Sequence, residues 1–189
     1  MKDGLQIRRM EEKDLPAVRE LELKCFSDPW TDTMLRDMLE SSLDSCFVLL
    51  FGEEEQTAGY ANVRVLGDEA ELMRICVAPE FRGRGWSGPL LEEGMREMRR
   101  CGAVSATLEV RAGNIPAIRL YERHGFQKEG IRKKYYRDPV EDAAIYWNRD
   151  LAAEDIDRIS CLTATRTRRA SPLILKNERD CPTDGSRKG

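Results

Sequence analysis

Arg82-Gly83-Arg84-Gly85-Trp86-Ser87-Gly88 is the segment of this 189-residue chain whose composition points most directly to chemistry. Its three glycines allow close backbone approach and its two arginines can add charge-assisted hydrogen bonds. It leads into PLLEEGMREMRRCG, where Leu90, Leu91, Met95 and Met98 fall on a helical stripe. A helix start exposes amide donors and the positive end of the helix dipole, so this turn could cradle a phosphate. The same residues also suit a plain strand-to-helix turn with surface arginines. The NTPase phosphate loop does not fit, because no lysine follows the last glycine. Gly83, Gly85 and Gly88 match the dinucleotide pattern GxGxxG literally, but the turn follows several antiparallel strands instead of opening a repeated strand–helix–strand half.

Other chemistries find less support. The six cysteines, at 25, 46, 76, 101, 161 and 181, form no CxxC or CxxH pair, which argues against structural zinc; no metal is expected. Cys46 and Cys76 sit in apolar runs, where a thiol behaves as a small hydrophobe. His124 is the one histidine, next to Gly125 where a helix should end, so a Cys76–His nucleophile pair is disfavoured. A chain with 31 basic and 34 acidic residues carries a net charge of −3, which disfavours broad nucleic-acid affinity. Arg166, Arg168 and Arg169 lack the interleaved aromatics that would stack bases. No apolar run reaches membrane-spanning length and no secretory leader stands out, so the expected location is cytoplasmic, with neither membrane nor nucleic acid as partner.

The elements that would position the glycine turn follow from periodicity. Strands are expected at 5–9, 46–51, 58–65 and 72–77, with helices over 12–25 and from Thr31 or Asp32 to about Leu39. The first four strands should be antiparallel neighbours. After the turn come a helix, a strand at 106–110, a helix at 114–124 and strands at 126–136 and 143–147. The unit 72–110 is a crossover, which pairs its strands in parallel. Residues 1–150 form the expected domain. Residues 151–189 carry eight basic and six acidic residues around one short apolar run, PLIL, and are expected to be a largely disordered or docked C-terminal extension.

Together with the glycine turn, six ordered blocks carry a resemblance: Asp28-Pro29-Trp30, Asp68-Glu69-Ala70-Glu71-Leu72, Leu108-Glu109-Val110-Arg111, Asn114 with Ala117-Ile118-Arg119-Leu120-Tyr121-Glu122, Gly125-Phe126, and Arg132-Lys133-Lys134-Tyr135-Tyr136 with Glu141-Asp142-Ala143. The chain resembles the Gcn5-related N-acetyltransferase (GNAT) superfamily over about residues 5–148, and within it the bacterial ribosomal-protein-alanine N-acetyltransferases of the RimI type. The resemblance implies an α/β (α+β) fold with a mixed, mostly antiparallel sheet of about seven strands, a splayed β4/β5 pair and about four flanking helices. It implies acetyl-CoA as co-substrate, held by Ile75, Cys76 and Val77, by Arg82, Gly83, Arg84, Gly85, Trp86, Ser87 and Gly88, and by Asn114, Ala117 and Tyr121. Ser87 and Pro89 depart from the family's loop pattern; Pro89 removes one amide that could face phosphate.

The resemblance further implies that Glu109 is the general base and that Tyr121 protonates the departing thiolate. An ion pair of Glu109 with Arg111 is the plain alternative for the first, and a core position the alternative for the second. Direct transfer is favoured over an acetyl-cysteine. Trp30, Glu71, Arg132, Tyr135 and Tyr136 are the expected acceptor-binding residues. Glu69, Glu71, Glu141 and Asp142 give the body acidity that suits a basic peptide. The implied acceptor is a protein N-terminus, the alanine of ribosomal protein S18, bound by a monomer. Lysine or small-amine acetylation, and a non-catalytic coenzyme A-binding or protein-binding homologue, are the competing readings.

Overall fold

Cys46-Phe47-Val48-Leu49-Leu50 is apolar without alternation, the mark of a strand covered on both faces, and all five residues are buried. They lie in β2 (Asp44–Phe51), between β1 (Leu5–Arg9) and β3 (Gln56–Leu66). The computed structural model describes residues 4–151 and forms one seven-stranded sheet. Its other strands are β4 (Glu69–Val77), β5 (Ser105–Arg111), β6 (Gln127–Arg137) and β7 (Val140–Asn148), in the order β1-β2-β3-β4-β5-β7-β6. β1 to β4 are antiparallel neighbours, β4 and β5 are parallel, and β7 inserts antiparallel between β5 and β6.

Four helices flank the sheet: α1 (Leu15–Cys25), α2 (Asp32–Glu40), α3 (Ser87–Arg100) and α4 (Ile115–Arg123). On β3, Tyr60 meets Glu22 of α1 while Val63 lies beneath Gly94 of α3. Residues of opposite parity point to opposite faces, so α1 and α3 cover the two sides. A Cβ at Gly94 would come within 3.0 Å of Val63, which is why α3 can lie so close to the sheet. Among the described residues no helix is long and apolar enough to cross a membrane.

Several boundaries differ from the sequence reading. The expected helix at 12–25 is a single 3-10 turn, Glu12–Asp14, followed by α1; Asp14 accepts the Glu11 amide at 2.8 Å and Pro16 opens the helix proper. β3 and β4 run to Leu66 and from Glu69, because Gly67-Asp68 makes a two-residue turn. Asn114 caps α4 instead of joining it, its side chain accepting the Ala117 amide at 3.3 Å. β7 begins three residues early, at Val140. Leu151 is buried, and its amide donates to the Val104 carbonyl at 3.1 Å. The extension expected from 151 otherwise lies outside the described residues.

Candidate active site

The parallel ladder between β4 and β5 lasts only from Glu69–Ser105 to Leu72–Leu108. Beyond it β4 continues to Val77 paired with β3 alone, and β5 continues to Arg111 paired with β7 alone. The two strands are splayed. The break coincides with a bulge: Asn62 and Val63 face Arg74 and Leu72, leaving Met73 as the extra residue. A bulge bends its strand and re-aims the backbone beyond it.

One wall of the wedge is backbone. The Ala78 amide donates to the Ala58 carbonyl at 2.8 Å, which makes Gly59–Val77 a wide pair of the antiparallel ladder. The amide and carbonyl of Val77 therefore point away from β3, into the wedge, and those of Ile75 do likewise two residues earlier. Cys76, between them, turns its backbone groups to β3. Only glycine fits opposite Val77, since a Cβ on Gly59 would sit 2.5 Å from the Cys76 carbonyl.

The glycine turn completes this wall. Gly83 and Gly85 both hold φ of +78°, the left-handed region, with open space around each position where a Cβ would stand. It is backbone conformation that selects glycine there. Gly88 lies inside the first turn of α3, as does Pro89, where proline interrupts no helical bond. Both arginines of the turn are exposed and have partners close by. Arg82 donates through Nε to the Val77 carbonyl at 3.1 Å and reaches the Cys25 sulfur at 3.7 Å. Arg84 lies over the packed rings of Phe51, Phe81 and Trp86.

The opposite wall is made of charged and aromatic side chains. Glu109 pairs with Arg132 at 3.0 Å, while Arg111 binds Glu141 at 3.1 Å; the expected alternative of a Glu109–Arg111 pair is not what forms. The neighbouring Glu109 carboxylate, with burial second, raises the Tyr135 phenol above its ordinary range. Burial, then the charge of Glu109, lifts the half-buried Glu71 carboxyl above its usual value. Tyr136 lies under the Arg111 guanidinium, 4.1 Å from ring centre to carbon, and its phenol is raised by burial first and by Glu109 second.

A double bulge sets this arrangement. Arg132 and Tyr136 face Ala143 and Glu141, so β6 carries two surplus residues there, with Lys134 at φ +51°. Asp142 holds that conformation, accepting the Lys134 amide at 2.8 Å and the Lys133 ammonium at 2.7 Å. Glu141 accepts the Gly113 amide at 2.6 Å as well as Arg111. Glu141 and Asp142, expected to attract a basic peptide, are already engaged, Asp142 by Lys133 and Lys134 of the bulge and Glu141 by Arg111 and Gly113 at the end of β5.

Glu22, Tyr60 and Arg74, which the sequence reading did not single out, pin the loop carrying Trp30 together with Arg111. Glu22 has no exposure to solvent; it accepts the Trp30 amide at 2.6 Å and the Tyr60 hydroxyl. Burial and the Glu22 charge push the Tyr60 phenol up. Arg74 binds the Asp28 carbonyl at 2.9 Å and covers the rings of Phe26 and Trp30 at 4.4 and 4.7 Å. Arg111 reaches Ser27 at 2.6 Å. A glutamate beside Leu21 on the apolar stripe of α1, and an arginine inside LMRICV, were the available signals.

Tyr121, in the last turn of α4, is buried against Phe126, and burial, with Tyr136 second, raises its phenol. Asn114 uses its side-chain oxygen on Ala117, so both are engaged in the helix start. His124 caps α4, with Nδ1 2.8 Å from the Leu120 carbonyl and Nε2 3.5 Å from Glu92. Among the described residues no cluster of three metal-ligating side chains occurs.

Comparison with known proteins follows the same lines. The model of the acetyltransferase (GNAT) family matches residues 15–126. The chain is 38% identical over 124 residues to the ribosomal protein bS18-alanine N-acetyltransferase of Salmonella typhimurium, covering 65% of this chain and 81% of the relative. It is 37% identical over 142 residues to the enzyme of that name from Escherichia coli K12, covering 74% and 93%. The crystal structure of the ribosomal-protein-S18-alanine N-acetyltransferase from Escherichia coli superposes with a TM-score of 0.68 at 34% identity, over 76% of this chain and 92% of that one. Ard1 from Thermoplasma volcanium shares the fold, with a TM-score of 0.70 at 24% identity over 76% and 96%.

Proposed function

The chain belongs to the acetyltransferase (GNAT) family and is an acetyl-CoA-dependent N-acetyltransferase, and from that premise we propose that it acetylates the α-amine of a protein N-terminus, the alanine of ribosomal protein S18. The observation that carries this reading is the identity of 37–38% over 124 to 142 residues to enzymes of that named specificity. A cytoplasmic site of action accompanies that acceptor.

The residues present fit the co-substrate: the Val77 amide and the Ile75 backbone groups, which face inward, offer partners to an extended amide-bearing arm, and the left-handed glycine turn leaves space for a phosphate against amides at the start of α3. Bound acetyl-CoA supplies the activated thioester. The chain's own groups do the rest. Glu109 receives the proton of the incoming amine, directly or through one water, while Arg132 fixes the carboxylate beside Tyr135. An α-amine, with a pKa near 8, is about one tenth neutral at pH 7, against less than a thousandth for lysine, so a modest base suffices. The Val77 amide, aimed into the wedge, stabilises charge developing on the carbonyl oxygen, an effect worth about 3 kcal/mol for one such donor. Tyr121, kept protonated by burial, returns a proton to the departing sulfur. Trp30, Glu71 and Tyr136 line the acceptor's approach, with the Trp30 loop held by Glu22 and Arg74.

The test is transfer of labelled acetyl groups to three acceptors: a peptide with the S18 N-terminal alanine free, the same peptide with its terminus blocked and an internal lysine free, and spermidine. Label on the free terminus alone is expected. Label on lysine or spermidine would replace the proposal with the corresponding specificity.

A further inference from the structure

Arg111 is the last residue of β5, two places after Glu109, so the two side chains leave the same face of the strand. Its terminal nitrogens carry four hydrogens between them and meet four acceptors. Nη1 donates to the Pro139 carbonyl and to Glu141 Oε2, each at 3.1 Å. Nη2 donates to Ser27 Oγ at 2.6 Å and to the Asp138 carbonyl at 2.8 Å. The Tyr136 ring lies against the same guanidinium. We propose that Arg111 is a positioning residue for the acceptor, tying the Trp30 loop and the β6–β7 turn into one arch across the mouth of the wedge. This inference deepens the acceptor reading above and rests on it.

The sheet stops short of both limbs of the arch. The ladder of β5 with β7 ends at Arg111–Ala143, whereas β6 and β7 stay paired out to Arg137–Val140, so their turn overhangs the end of β5. Ser27, Asp28 and Pro29 stand in the connection between α1 and α2, outside any strand. That connection is gripped from both splayed strands: Arg74 of β4 donates to the Asp28 carbonyl at 2.9 Å, and Arg111 of β5 to the adjacent Ser27. It therefore bridges β4 and β5 where the ladder between them has opened. Trp30 stands on one limb and Tyr136 at the base of the other, so the fork of Arg111 sets the spacing between two residues that line the acceptor's approach.

A planar fork suits this task and an ammonium does not. Four acceptors from two chain segments surround Arg111, and a lysine offers three donors radiating from a single nitrogen. Glu141 fixes the direction of the fork, because its other oxygen accepts the Gly113 amide at 2.6 Å. A Cβ on Gly113 would come within 2.8 Å of that oxygen, so glycine is what admits the carboxylate there.

Arg111→Met, Arg111→Lys, Ser27→Ala and the Arg111→Met/Ser27→Ala double variant would be compared with wild type in steady-state kinetics, using whichever acceptor of the panel above takes label. Coenzyme A binding reports that each is folded, and Ser27→Ala, at an exposed hydroxyl, carries the test if Arg111→Met does not fold. Arg111→Met should raise the acceptor KM about tenfold, hold kcat within about threefold and leave the KM for acetyl-CoA alone. Arg111→Lys should behave like Arg111→Met. Ser27→Ala should raise the acceptor KM about threefold by itself and add nothing to Arg111→Met. Amide exchange without acceptor should quicken in Arg111→Met at Ser27, Asp28 and Trp30 and at Asp138 and Val140. A wild-type acceptor KM in Arg111→Lys, a loss confined to kcat, additive effects of Arg111→Met and Ser27→Ala, or unchanged exchange in either limb would overturn the proposal. The exchange measurement needs no acceptor, so its failure is distinct from a failure of the specificity proposed above.

Discussion

The two walls of the wedge are built from different materials. On the β4 side, the groups that face inward are main-chain groups of Ile75 and Val77 and the glycine turn at 82–88, with the exposed Arg82 on the Val77 carbonyl and the exposed Arg84 over Trp86. On the β5 side they are side chains, Glu109, Arg132, Tyr135 and Tyr136, with Glu71 of β4 beside them, held by ion pairs that reach between distant segments. Main-chain groups tolerate sequence change and suit an invariant ligand. A wall of paired side chains can be altered residue by residue, which suits a choice among acceptors. On this account the first wall serves the co-substrate and the second serves chemistry and acceptor choice.

Substitutions can break that division, the largest effect first. Tyr121→Phe removes the proton donor without opening a cavity, and kcat is expected to fall about 100-fold or more with little change in the KM for acetyl-CoA. Steady-state kinetics with both substrates varied would check this; an unchanged kcat would leave Tyr121 as a core residue. Gly85→Ala forces a Cβ into the left-handed region and should raise the KM for acetyl-CoA about tenfold while leaving the KM for peptide alone. Arg74→Met keeps bulk over Phe26 and Trp30 but drops the bond to the Asp28 carbonyl and the cationic neighbour of Glu22. It should raise the peptide KM severalfold and spare acetyl-CoA, read from the same kinetics.

The smallest effect lies away from both walls and serves as a control. Arg100 and Arg9 hold the Glu97 carboxyl at about 2, well below its ordinary value. A group whose folded pKa is depressed contributes stability above its unfolded pKa, near 4.3, and loses it as pH falls toward the folded value. Glu97→Gln should therefore lower stability by about 1–2 kcal/mol at pH 7, after allowance for the exposed arginine partners, with the difference shrinking between pH 4 and pH 2. Urea unfolding at both ends of that range measures it, and kcat should not move.

The same contrast explains how far the sequence could be read. All seven strands and the glycine turn are visible locally, because periodicity and positive-φ glycines are written in consecutive residues. The family blocks brought Glu109, Tyr121 and the Arg132–Tyr136 segment onto one candidate list, and the structure gathers the charged and aromatic members around Glu109. Less visible was anything decided by partners far along the chain. Whether Glu109 meets Arg111 or Arg132 depends on β7 entering between β5 and β6. Whether Glu141 and Asp142 face a peptide depends on distant backbone amides that occupy them, Gly113 after β5 for Glu141 and Lys134 in the β6 bulge for Asp142. Glu22 and Arg74 are a buried charge and an arginine in an apolar strand, patterns whose meaning appears only when α1, β3 and β4 meet.

The division of the wedge is tested most directly by amide hydrogen exchange on the full chain with and without coenzyme A. The account predicts slowed exchange at Ile75, Val77 and the amides of 83–88, with Glu109 and Arg132–Tyr136 unchanged until an acceptor peptide is added. Protection centred on β6 and β7, or none at Val77, would contradict it.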